Sequence, residues 1–166
     1  MPHRFVVGSR AWRVVTPAIW LLFLLPSQRA VATERAPAAS EAVDRIQLVV
    51  DRLRTQLGIR EPVTVSVLPK VAFVVSVEAP NDGSAIFRLS IEDRFLALLN
   101  TDELDAAVAH ELGHVWVFTH HPYLQTEHLA NQIAMRVVSR ESLARVYQKV
   151  WERGGTKGDL VSFLGP

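Results

Sequence analysis

Residues 101–121 constrain the fold of this chain more than any other stretch, because a helix-phased apolar face there carries His110, Glu111 and His114. Leu104, Ala107, Val108 and Leu112 recur at three- and four-residue steps; Thr101 is the expected N-cap, and acids follow it in the first turn. Successive helix residues turn by about 100°, so two imidazoles four residues apart lie nearly one above the other and can share one metal ion. Glu111, next to the first His, then points at a water on such an ion rather than at the ion itself. Polar residues on an exposed helical face are the simpler reading, but two His four apart beside a Glu rarely serve packing alone. The helix is expected to stop near His120 and His121, since Pro122 disfavours helical geometry before it and breaks the backbone ladder.

Upstream, Ser40 is a cap candidate for a helix in which Val43, Ile46, Val50, Leu53 and Leu57 form an apolar stripe ended by Gly58. Residues 63–67 alternate valine with polar residues as a half-buried strand does, and 71–77 form a second strand candidate. The turn signal Asn81-Asp82-Gly83 precedes a third candidate over 85–89, so the second and third strands should pair as an antiparallel hairpin. Ser90 is then placed as the cap of a short helix carrying Phe95, Leu96, Leu98 and Leu99. Downstream of Pro122, apolar residues from 124 to 152 recur at helical steps, with Gly154 and Gly155 beyond, and predict one final helix. Glu127 and Asn131 lie one turn apart in it. A Glu from a second helix, returned by a short turn, gives a His/His site its third protein ligand and leaves the fourth position for water.

The first residues read as a targeting segment: Arg4, Arg10 and Arg13 precede an apolar run over 14–25, and Ala30-Val31-Ala32 has a small-x-small cleavage pattern. The expected organisation is a signal peptide over 1–32, a linker over 33–42, a catalytic domain over 43–153 and a tail over 154–166. The apolar run is short for a spanning helix and contains Pro17, so an exported protein, periplasmic or secreted and without a stable membrane span, is expected, with an uncleaved N-terminal anchor as the alternative. Cleavage removes four Arg and no acid, leaving 14 basic and 17 acidic residues, which disfavours a nucleic-acid partner. The chain has no Cys, so thiolate ligands, thiol nucleophiles and disulfides are excluded. A metal here must be held by His and carboxylates.

The segment from Glu103 through His110-Glu111-Leu112-Gly113-His114-Val115, followed by Glu127-His128-Leu129-Ala130-Asn131, resembles the gluzincin metallopeptidases, especially the HtpX and CAAX-prenyl-protease lineage. Ala72-Phe73 in a strand, and Ile86-Phe87-Arg88-Leu89-Ser90 leading into a Leu-rich helix, follow that lineage's order, so the resemblance covers roughly residues 60–138. It implies an α+β, zincin-like minimal metallopeptidase domain, with a small antiparallel or mixed sheet packed on an active-site helix and a glutamate helix. It also implies Zn²⁺ held by His110, His114 and Glu127, with Glu111 as general base, and a peptide or protein substrate. Asn131 departs from the family pattern, which has Asp there to hold a ligand imidazole. An Asn carbonyl can accept the same N–H but lacks the charge that raises ligand basicity. The connection from His114 to Glu127 is also shorter than in the membrane-embedded relatives, whose membrane hairpin is absent.

His120 is the rival third ligand, ten residues after His110 as in the metzincin pattern. That pattern needs Gly where Val117 stands; a continuing helix carries His120 about 240° around from His114. His121 and His128 read as exposed or helix-end groups. Arg136 and Tyr123 are candidate oxyanion donors, against the commoner roles of a surface ion-pair Arg and a half-buried Tyr. Val115, Trp116, Val117 and Phe118 read as core rather than as a specificity pocket. The expected activity is zinc-dependent endopeptidase hydrolysis, with substrate backbone added to an exposed strand at 71–77 or 85–89. A catalytically weak or inactive zinc-binding domain with a binding or regulatory role is the alternative. Substrate preference and oligomeric state are not readable from these residues.

Overall fold

The apolar stripe of the first helix does what its spacing predicts. In the computed structural model, which describes residues 29–165 apart from 82 and 125 and the side chains from 40 onward, helix α1 runs Arg29–Gln56 and buries Ile46, Val50 and Leu53 completely or nearly so. Each such side chain contributes about 1.5–3 kcal/mol by leaving water. The Arg52–Asp105 pair that also joins this helix to the motif helix, at 2.7 Å and half exposed on the Arg side, contributes at most about 1 kcal/mol. The stripe, not the ion pair, therefore fixes the helix. It ends where Gly58 takes φ 71°, and the amide of Ile59 closes back on the carbonyl of Arg54 at 3.0 Å. Ser40 is not its cap, since the helix starts upstream and spans residues 33–42. Of the signal peptide expected over 1–32, residues 1–28 lie outside the described residues and 29–32 open this helix.

Three strands follow: β1 (Val63–Leu68), β2 (Val75–Glu78) and β3 (Phe87–Glu92). Their order is β1-β3-β2, with β1 parallel and β2 antiparallel to β3, so the sheet is mixed and the hairpin expected between the second and third strands is present. The central strand runs 87–92 rather than 85–89, and the second strand covers 75–78 rather than 71–77. Ser90 faces Ser66 and Ser76 across the sheet, which makes it a strand residue rather than a helix cap. Phe87, Leu89 and Ile91 point from β3 into the core. The short helix α2 (Asp93–Leu96) starts directly after the strand, with Glu92 in the cap position and Phe95 fully buried.

The motif helix, α3 (Thr101–His120), is capped by Asn100 and not by Thr101. Asn100 Oδ1 accepts from the Glu103 amide at 3.0 Å while the Glu103 carboxylate accepts from the Asn100 amide at 2.9 Å, a reciprocal capping box. Glu103 is buried and also receives Lys149 Nζ at 2.5 Å and Arg145 Nε at 3.5 Å. Burial alone would raise its pKa, but the Lys149 contact, the Asn100 amide and the Arg145 charge outweigh it and hold the carboxyl below its ordinary value. Glu103→Ala is expected to destabilise the chain by about 2 kcal/mol at neutral pH, from the lost cap and the stranded cations. Because the folded pKa is depressed, this contribution is full above the ordinary value of 4.5 and is lost as the pH falls through the lower folded value. Urea unfolding of the two proteins should therefore differ at pH 7 and converge in strong acid.

The single final helix expected over 124–152 is instead two, α4 (Glu127–Ala134) and α5 (Arg140–Gly154). Between them the backbone tightens, with Arg136 and Val137 amides bonding Ile133 and Ala134 at three-residue steps. Ser139 restarts the ladder by accepting from the Ser142 amide at 3.1 Å. The expected tail holds one further helix, α6 (Leu160–Leu164), capped by Asp159 and anchored by buried Leu164. No helix among the described residues is long and apolar enough to cross a membrane.

Candidate metal centre

The buried face of α3 carries His110 and His114 to one end of the core, and α4 returns antiparallel against it. The approach is close because Gly113 has no side chain: a Cβ there would lie 2.3 Å from the backbone oxygen of Ala130. Capping of α4 by Thr126, which accepts from the Leu129 amide at 3.1 Å, starts this helix at Glu127. Among the described residues, His110, His114 and Glu127 form the cluster that could hold a metal ion.

The spacing tests the fit. His110 Nε2 and His114 Nε2 are 3.3 Å apart, and each faces a different oxygen of Glu127, at 3.2 and 3.5 Å. Bonds of about 2.0–2.1 Å in a tetrahedron place donor atoms about 3.3 Å from one another, and these contacts are near that spacing, with one ligand atom from each residue within 4.8 Å of the others. All three residues line a cavity of about 700 Å³ that Glu111 also lines. His110 is tied from behind: its Nδ1 donates to Asn131 Oδ1 at 2.8 Å. That leaves the Nε2 lone pair for the cluster.

The electrostatics are those of a site arranged around positive charge. Burial works against a charged imidazole at His110, but the carboxylates of Glu127 and Glu111 outweigh it and raise its pKa. Contacts with His110 and His114 hold Glu127 well below the usual carboxylate range. Glu111, only 7 % exposed, is pushed upward by burial against the opposing pull of the two imidazoles. The backbone of Val77 on β2 hydrogen-bonds its carboxylate, which ties the base candidate to the sheet edge. Tyr147 Oη reaches Glu127 Oε2 at 3.3 Å, and burial keeps its phenol protonated and able to donate.

His120 stands apart. α3 continues through Val117, and the His120 ring stacks on Trp116 at 4.1 Å with Nδ1 beside the Trp116 carbonyl. His121 caps the end of α3, and His128 bonds Gln132. Arg136 lies over the Trp116 ring at 5.2 Å and Tyr123 is 97 % exposed, so neither lines the cavity and Tyr123 is not the half-buried ring expected. Val115 is fully buried in the core as expected and also borders the cavity, while Phe118, read as core, is exposed and lines it. Sequence reasoning missed Tyr147 and the Val77 backbone. Tyr147 was accessible, since it stands one turn after Leu143 on the apolar face of its helix; the Val77 contact depends on how the sheet docks and left no local signal.

A small mixed sheet against helices with a His-x-x-x-His…Glu cluster between two of them defines a metallopeptidase-like domain. No family model matches the chain. It is a distant homologue of a protease HtpX homolog from Pyrococcus abyssi, 30% identical over 124 residues, a match that spans 67% of this chain and 39% of that protein. Its fold matches the crystal structure of the metallopeptidase zymogen of Pyrococcus abyssi abylysin with a TM-score of 0.50 at 15% identity, covering 69% of this chain and 99% of that one. The fold is thus the one seen in the abylysin structure.

Proposed function

We propose that the protein is a zinc-dependent metalloendopeptidase. The observation that carries this reading is the convergence of two imidazole nitrogens and a carboxylate at contacts of 3.2–3.5 Å, with the buried Glu111 carboxylate lining the same cavity. His110, His114 and Glu127 would hold the zinc, which when bound supplies Lewis acidity that makes a water deprotonable near neutral pH and polarises a carbonyl. Glu111 takes the water's proton as the peptide carbonyl is attacked and passes it to the leaving amine. Tyr147, a protonated phenol lining the cavity, gives its one O–H to Glu127 Oε2 and steadies that carboxylate.

Of the two strands considered for substrate pairing, 85–89 falls mainly in the sheet's centre. β2 is an edge: among the described residues it pairs only with β3, and it borders the cavity. An extended peptide added along β2 would run past Glu111 with chain continuing on both sides, which favours internal cleavage. The substrate is accordingly proposed to be peptide or unfolded protein, and export to the periplasm or medium is proposed from the basic and apolar leader. The rival reading, zinc held without turnover, draws on the neutral Asn131.

The deciding experiment is metal analysis of the purified chain coupled to cleavage of casein and a peptide library, with and without chelator. One zinc per chain is expected, with cleavage that chelator abolishes and added zinc restores. A folded protein that takes up no zinc would overturn the proposal, and zinc without cleavage would favour the rival.

A further inference from the structure

Asn131 is fully buried, and both ends of its carboxamide are used. Oδ1 accepts from His110 Nδ1 at 2.8 Å, while Nδ2 donates to Tyr147 Oη at 2.7 Å and to the backbone carbonyl of Phe163 at 3.1 Å. The orientation is forced. A backbone carbonyl only accepts, so the NH₂ must face Phe163 and the oxygen must face His110. Tyr147, having accepted from Asn131, keeps its own O–H for Glu127 Oε2. Two of the three donors are therefore oriented through one side chain that is itself bonded to α6. That helix is fixed by buried Leu164, by Arg140 Nη2 donating to the Gly165 carbonyl at 2.6 Å, and by the Phe163 ring packed at 5.0 Å from Tyr147 and 5.9 Å from Trp151.

We propose that Asn131 is a positioning residue that couples docking of α6 to the metal ligands, so that zinc and the docked C-terminal helix stabilise one another. This rests on the zinc-site reading above. A carboxylate at 131 cannot do the same work. It would still accept from His110, but its second oxygen would meet the Phe163 carbonyl with no proton between them, and the Tyr147 O–H would turn toward it and leave Glu127. The amide is thus a gain of function at this position: it forgoes charge on His110 and secures α6.

The test uses the full chain, metal-free and with one equivalent of zinc, read by hydrogen exchange over 160–165 and by zinc affinity from chelator competition. In the parent, zinc is expected to slow exchange over 160–165 about tenfold. Leu164→Ser loosens α6 without touching a ligand and, by reciprocity of coupled equilibria, is expected to weaken zinc binding about tenfold. Asn131→Asp is expected to speed exchange over 160–165, weaken zinc and shift the visible bands of the Co²⁺-substituted protein, a signature that a packing defect remote from the donors would not produce. Tighter or equal zinc binding by Asn131→Asp with unchanged exchange would overturn the proposal. So would faster exchange in Leu164→Ser at unaltered zinc affinity, a result that stands even if the Asp variant does not fold. Absence of zinc from the parent is a different failure, seen before any variant is made, and removes the zinc-site reading itself.

Discussion

Glu111→Gln is expected to keep zinc at parental stoichiometry and to lower kcat by about 10²–10⁴-fold, the range a positioned general acid–base supplies. The substitution preserves shape and hydrogen-bonding capacity, and Glu111 is no donor in the His110, His114 and Glu127 cluster. The amide cannot take a proton from water, while one end of it can keep the Val77 contact. Thermal stability should hold or rise, because a buried carboxylate that is costly to ionise is removed. Steady-state cleavage, metal content and a melting curve on one preparation check all three. Cleavage at the parental rate would remove Glu111 from the base role.

Gly113→Ala is expected to act on the opposite half of the site. In an isolated helix this substitution stabilises by about 1 kcal/mol, because Gly is the poorer helix former. Here the added methyl would sit 2.3 Å from the Ala130 oxygen, 2.9 Å from its carbonyl carbon and 3.0 Å from its Cα. All three are backbone atoms, so no side chain can rotate away and α4 itself must move. Ala130 is three residues from Glu127, so a shift that relieves the clash carries the carboxylate out of its present 3.2–3.5 Å spacing. The expected result is a net destabilisation of about 1–3 kcal/mol and a loss of zinc affinity of about 10–100-fold or more. Denaturant melts and chelator competition measure the two effects. A variant that melts higher than the parent and keeps zinc would show that α3 and α4 are not in the contact described.

The parts of this architecture that were legible in the sequence are those whose cause is local. His110, Glu111 and His114 share a helix whose apolar face is continuous, so their mutual placement follows from helix geometry, and the short link around Pro122 suffices to return Glu127. Gly58 and Gly155 marked helix ends in the same way. Where two neighbouring residues can both cap, as with Asn100 and Thr101, pattern alone chose the wrong one, although Glu103 stands at the capping-box distance from Asn100 and was the signal to use. The break between α4 and α5 was hidden because Val137 and Val138 keep the apolar period while the chain turns. Ser139, accepting from Ser142, is the local mark that was passed over.

Ser90 illustrates the other kind of failure. Its hydroxyl suits a cap, and only pairing with Ser66 and Ser76 from two other strands makes it extended. Tyr147, the Val77 contact and the bond from Asn131 to Phe163 likewise depend on elements far apart in the chain. The departure at Asn131 was visible, but its meaning was not, because α6 was read as a tail.

The unequal shielding of the three donors has a kinetic consequence. His110 and His114 are 16 % and 22 % exposed and sit on a long, well-packed helix, whereas Glu127 is 50 % exposed and opens the first turn of a short one. An incoming or departing ion would therefore pass on the glutamate side, with the carboxylate swinging outward while the imidazoles stay in place. Metal exchange in such a shell would be gated by one exposed arm that the Tyr147 hydroxyl must first release, so its rate would be set apart from equilibrium retention.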